Sequence, residues 1–183
     1  AASGEKTNVY MVDFPRDGDA NYDGVWGHNN LSFVNGWHSG KAPRTNLKVL
    51  GSYSGNIAYC IEPGVPLKDG QSMTKYDENY FNNITSNGVI SGDEIRMFIG
   101  RIMQYGYRGG VSLSWKSQNA DAANSIAHAY ATQLLIWETV IGERDANFNH
   151  KSTSGYSNVK DVVSTSHPLR SKIFSYYDSM VQS

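Results

Sequence analysis

The chain has 183 residues, 39% of them hydrophobic and 18% charged, and its 16 basic against 17 acidic residues leave a formal net charge of -1. That length fits one domain, 1–183, able to bury a core without disulfide or metal staples. The charge balance, with no Lys/Arg cluster, argues against nucleic acid as a partner, and no apolar run approaches the roughly 18 residues of a membrane span, so membrane insertion is not expected.

The first 66 residues read as β-structure. Strand-like stretches are Asn8-Val9-Tyr10-Met11-Val12, Leu31-Ser32-Phe33-Val34, Leu47-Lys48-Val49-Leu50 and Ile57-Ala58-Tyr59-Cys60-Ile61, punctuated by Gly, Asn and Asp. Gly51 to Asn56 is short and turn-rich, so the strands on either side can pair as a hairpin. Glu62-Pro63-Gly64-Val65-Pro66 then stops the strand, because proline removes a backbone donor.

The period changes after Ser91. Ser91-Gly92-Asp93-Glu94 has the form of a capping box, and Ile95, Phe98, Ile99, Ile102 and Met103 follow at helical spacing up to Gly106. A second helix is predicted from Asp121 to Ile141, with Ile126, Tyr130, Gln133, Leu134, Trp137 and Ile141 on one broad stripe and Gly142 as terminator. A third is predicted from a cap at Ser166 through Pro168 to Met180, with Leu169, Ile173, Tyr176, Tyr177 and Met180 facing inward. Asn147 to Asn158 is polar enough for an exposed loop. The expected fold is α+β: an N-terminal β-rich lobe, a small sandwich or barrel over about 1–85, packed on a helical lobe of about three helices over about 86–183.

Two residues stand out chemically. Gln133 places an amide at the centre of an apolar stripe, where its donors and acceptor must be met or cost roughly 1–3 kcal/mol. Cys60 is the single cysteine, which excludes an internal disulfide. An odd thiol in a secreted protein needs a reason such as reactivity or intermolecular pairing. Taken one at a time, a buried hydrogen-bonded glutamine and a buried cysteine acting as a small hydrophobe account for both.

The words around them change that balance. Ala58-Tyr59-Cys60-Ile61-Glu62-Pro63-Gly64 and Ala131-Thr132-Gln133-Leu134-Leu135-Ile136-Trp137-Glu138 resemble, in the same order, the paired signatures of thioester domains in Gram-positive cell-wall-anchored surface adhesins. Asp13 to Asp19 and the run from Trp26-Gly27-His28 to Asn35-Gly36-Trp37 resemble the segments that precede the cysteine in that family.

The resemblance implies a bond between the Cys60 sulfur and the Gln133 side-chain carbonyl, formed with loss of ammonia. It also implies a secreted, cell-wall-anchored, extracellular domain that couples to a lysine amine on a host cell-surface or matrix protein, reacts once rather than turning over, and is followed by further stalk domains. A thioester survives only where water is restricted, which points to aromatic shielding by Trp137, one turn after Gln133, or by Tyr59, whose side chain is expected on the opposite strand face from Cys60. Glu62, Glu138 and Thr132 are near enough in sequence to assist proton transfer or oxyanion stabilisation, although such acids are more often plain solvated or hydrogen-bonded groups.

Other chemistries remain open at this point. A cysteine hydrolase would use Cys60 with His128, His150 or His167 as base, although Cys60 opens onto Ile-Glu-Pro-Gly rather than a helix N-terminus. A noncovalent adhesion module is a further alternative. His128 falls about 140° around the helix from Gln133, so it is expected to be structural or solvent-facing. His28, His38 and His150 lack close ligand spacing, and no metal or cofactor is expected.

Overall fold

The computed structural model describes residues 6–11, 30–32, 44–46, 48–50, 57–59, 61, 71–74, 84–108, 120–152, 158–163 and 169–183. In chain order the strands are β1 (Lys6–Met11), β2 (Asn30–Ser32), β3 (Arg44–Asn46), β4 (Lys48–Leu50), β5 (Ile57–Ala58) and β6 (Gln71–Thr74). The helices are α1 (Gly92–Tyr105), α2 (Ala120–Ile141), a 3-10 turn at Val159–Val162, and α3 (Arg170–Val181).

Four strands form one antiparallel sheet in the order β5-β4-β1-β6. Val9 lies opposite Leu50 and Gln71, and Val49 opposite Ile57. β4 and β5 therefore pair as the hairpin expected from their short connection, whose own residues, 51–56, lie outside the described residues. β2 and β3 form a separate antiparallel pair. Several strands differ from expectation: β1 begins at Lys6, β2 at Asn30, and β3 over Arg44–Asn46 was not expected. The stretch starting at Ile57 leaves the sheet after Ala58, so pleat alternation does not govern Tyr59. β6 was not expected, because Gln71-Ser72-Met73-Thr74 has neither alternation nor a β-branched run.

α1 starts as its sequence dictates. The Ser91 hydroxyl accepts from the Glu94 N–H at 3.1 Å, and the Glu94 carboxylate accepts from the Ser91 N–H at 3.0 Å, which satisfies two donors that the first turn would otherwise leave open. Ile95, Phe98, Ile99 and Ile102 are buried on one face. At Gly106 the helix stops, with the Gly106 N–H bonded to the Ile102 carbonyl.

α2 corrects the sequence reading. It begins at Ala120, and instead of one inward stripe it is buried on all sides from Ala129 to Thr139. α1 packs on one flank and α3 on another, so the polar side chains Thr132, Glu138 and Thr139, off the predicted stripe, lie inside along with Gln133 on it. The small side chains of Ala127, Ala129 and Ala131 permit that close approach. Gly142, at φ +90, ends the helix in a left-handed conformation, and the Glu143 N–H returns to the Glu138 carbonyl at 2.8 Å, the Schellman closure.

α3 starts later than expected. Its first turn opens after Leu169, which offers no side-chain cap, while the expected cap Ser166 and Pro168 lie outside the described residues. Ile173, Tyr177 and Met180 are buried against α2, whereas Tyr176 is half-buried. In the polar segment after α2, Asn147, Asn149 and His150 are exposed as expected. Phe148 folds back, and the Arg144 guanidinium sits 4.8 Å from its ring centroid.

Candidate functional site

Gln133 sits at the middle of α2 and is 4% exposed. Trp137, one turn later on the same face, is 2% exposed, so the expected aromatic neighbour lies in the same dry interior. Cys60 lies outside the described residues, and so does Glu62. The residues on either side of Cys60, Tyr59 and Ile61, both pack against the buried cluster that α2 and α3 build.

The contacts around Tyr107 draw the two sequence motifs together. Tyr107 follows the end of α1, and its backbone offers one donor and one acceptor. The N–H donates to the Thr132 hydroxyl at 3.0 Å, and the carbonyl accepts from the Tyr59 phenol. The Thr132 hydroxyl donates to the His128 carbonyl, 2.8 Å away, so its oxygen is left to accept from Tyr107. The residue before Cys60 and the residue before Gln133 thus hold the same backbone residue.

Gly106 makes that approach possible. A Cβ at this position would lie 2.5 Å from the Thr132 methyl and 2.7 Å from both the Thr132 hydroxyl and the Ile102 carbonyl. Any side chain there would push the end of α1 off α2. Burial pushes the Tyr59 phenol well above its ordinary pKa, so it stays a donor through neutral and moderately alkaline pH.

The other named residues have different partners. Glu138 is wholly buried, and its carboxylate accepts from Arg144 Nε at 2.9 Å and from the Tyr177 hydroxyl at 2.7 Å. Burial pushes this carboxyl up, opposed by the Arg144 charge and by the Tyr177 hydrogen bond. Glu138 lies five residues after Gln133, about 140° around the helix, and its oxygens serve the α2–α3 interface.

His128 is held by the Tyr105 carbonyl at 3.0 Å and stacks on Tyr176 at 4.7 Å between ring centroids. That is the structural role expected for it. His150 faces Glu143 at 3.1 Å. His167, His28 and His38 lie outside the described residues. Ligand atoms of Glu138, Glu143 and His150 fall within 4.8 Å of one another, the residue types of a cation site. Arg144 already neutralises Glu138, and Glu143 accepts from the Val159 N–H at 3.0 Å, so a cation there would have to displace a guanidinium.

Sequence reasoning named Tyr59 and Thr132 but missed Tyr107 and Gly106. The Tyr107 contribution is backbone, which leaves no side-chain pattern to read, and a Gly-Tyr pair after a helix looks like an ordinary terminator.

Tyr59, next to the single cysteine, and Thr132, next to the buried Gln133, thus meet at one backbone residue. The family model described as "Thioester domain" matches residues 57–178, more than half of the chain, and includes both Cys60 and Gln133. The chain belongs to the thioester domain family. No curated protein and no solved structure matches it.

Proposed function

We propose that Cys60 and Gln133 are joined by an internal thioester and that this bond captures a lysine amine on another protein. In its formation the Cys60 Sγ attacks the Gln133 side-chain carbonyl carbon Cδ; the Sγ–Cδ bond forms, the Cδ–Nε2 bond breaks, and the thiol proton leaves with the amide nitrogen as ammonia. In the capture step a lysine Nζ attacks the same carbon, the Cδ–Sγ bond breaks, and the thiolate takes up the amine proton. Sulfur lends the carbonyl weak resonance support and thiolate is a good leaving group, so the amide product is the stable end of the sequence.

The observation that carries this reading is the convergence of Tyr59 and Thr132 on Tyr107, which tethers the chain next to Cys60 to the chain next to Gln133. The burial of Gln133 and Trp137 supports it, because water competes with the amine for the acyl carbon. Family membership supports an adhesin-type module that modifies itself rather than turning substrate over.

The wider reading follows the same line. The domain, 1–183, has a β-rich lobe over about 1–85 and a helical lobe over about 86–183, with the crosslink at their interface. It is secreted and anchored to a Gram-positive cell wall, with further stalk domains, and its partner is a host cell-surface or matrix protein. An amide has no dissociation rate comparable to that of a noncovalent contact, which suits attachment under flow.

Intact mass of freshly purified protein, paired with thiol titration, tests the bond. The expected mass is one ammonia below that of the unmodified chain, with no titratable thiol; methylamine restores the thiol as it adds to Gln133. Gln133→Ala is expected to abolish methylamine uptake. A full-mass chain with a reactive thiol from the outset would end the proposal.

A further inference from the structure

We infer that the backbone of Tyr107 is the bracket that aligns the two reacting residues, and that Tyr59 and Thr132 are positioning residues for the acyl bond; this rests on the thioester reading above. Each is one residue away from a reacting side chain, and consecutive Cα atoms are separated by only about 3.8 Å. Cys60 and Gln133 are 73 positions apart in sequence, so folding alone must bring sulfur and carbonyl carbon to near-attack distance. Errors of about 1 Å in such placements cost about a hundredfold in rate.

The bracket is over-determined in the way a positioning device requires. The Thr132 hydroxyl donates its one hydrogen to the His128 carbonyl at 2.8 Å, in preference to Met180 Sδ at 4.0 Å, and its oxygen accepts the Tyr107 N–H at 3.0 Å. These two bonds fix the hydroxyl rotor and hold the Tyr107 backbone to the turn of α2 that precedes Gln133. The Tyr59 phenol completes the contact by donating to the Tyr107 carbonyl. Gly106 is the spatial condition, since its missing side chain leaves room for Thr132. Neither phenol nor hydroxyl needs to touch the acyl carbon, so both act through placement.

Three variants in the full chain test this: Tyr59→Phe, which keeps the ring and loses the donor; Thr132→Val, which keeps the shape and loses the hydroxyl; and Thr132→Ser, which restores it. Melting temperature establishes folding, intact mass gives the fraction carrying the bond, and alkylation after methylamine gives its opening rate. Folded Tyr59→Phe and Thr132→Val are expected to lose thioester content or to open about tenfold faster or more, with Thr132→Ser close to the parent.

Parent-like content and opening rate in both folded variants would overturn the bracket while leaving the thioester itself standing. So would a Thr132→Ser defect as large as that of Thr132→Val, since the hydroxyl would then be irrelevant. Should Tyr59→Phe fail to fold, the Thr132 pair decides alone. A parent chain of full mass would remove the thioester reading, and the bracket with it.

Discussion

Arg144 directs its Nε at the Glu138 carboxylate, 2.9 Å away, in a pair that is almost entirely withdrawn from solvent. Each terminal guanidinium nitrogen makes one further bond, to the Phe148 carbonyl and to the Tyr177 hydroxyl, so one arginine ties the segment after α2 to both α2 and α3.

Removing one partner of a buried pair strands the other charge. Arg144→Met is therefore expected to lower unfolding stability by about 3–5 kcal/mol, and adding Glu138→Gln is expected to recover part of that loss. Urea unfolding of the two single variants and the double variant measures the coupling. Additive effects would show that the pair contributes no specific interaction. Glu138→Gln is also expected to keep the proposed thioester, because the Glu138 oxygens face Arg144 and Tyr177.

α1 was legible because its determinants are local: Ser91 and Glu94 lie three positions apart and cap each other, whatever packs above them. The polar side of α2 was not. Thr132 and Glu138 lie off the apolar stripe that holds Gln133, yet both are buried, and they find partners far along the chain, at Tyr107 and Tyr177. No periodicity rule encodes a partner 25 or 39 residues away. The Cys60 and Gln133 motifs were legible as words, by resemblance, and their meeting point at a backbone carbonyl and amide was not.

Asn87 stands just before Gly88, a pairing that ordinarily marks a turn, yet its side chain works as a cap for α2. Its Nδ2 donates to the Thr139 carbonyl at 2.9 Å and to the Val140 carbonyl at 3.2 Å, and its Oδ1 accepts from the N–H groups of Val89 and Ile90. Asn87→Asp keeps the acceptor, removes the donor, and sets a negative charge against the negative end of the helix. The expected loss is about 2–3 kcal/mol. Denaturant unfolding reads it; a change below about 0.5 kcal/mol, the ordinary range for surface substitutions, would show that water replaces the amide without penalty.

His128 gives a pH dependence whose sign follows from its surroundings. Burial lowers its pKa, partly opposed by the bond to the Tyr105 carbonyl. A depressed folded pKa means that the unfolded chain binds the proton more readily, so this contribution is present above the unfolded value of about 6.5 and is lost as pH falls through the folded one. Melting temperature is expected to fall on acidification through that window. His128→Phe, which keeps a ring over Tyr176, should flatten the slope. An unchanged slope in the variant would assign the acid sensitivity to other groups.

Trp137 offers a test of how the proposed acyl bond is kept dry. It shares a helix face with Gln133 at one-turn spacing, and both are nearly inaccessible, so the indole can occupy space that water would otherwise enter. Trp137→Ala would leave a large cavity and cost about 3–5 kcal/mol, which mixes shielding with loss of fold. Trp137→Phe removes less volume and separates the two. If the indole shields the bond, the folded Phe variant forms the thioester but loses it to water faster than the parent, as a rising thiol titre during storage without amine. An unchanged rate of thiol release, alongside a lowered melting temperature, would leave Trp137 a core residue and place the barrier to water elsewhere in the fold.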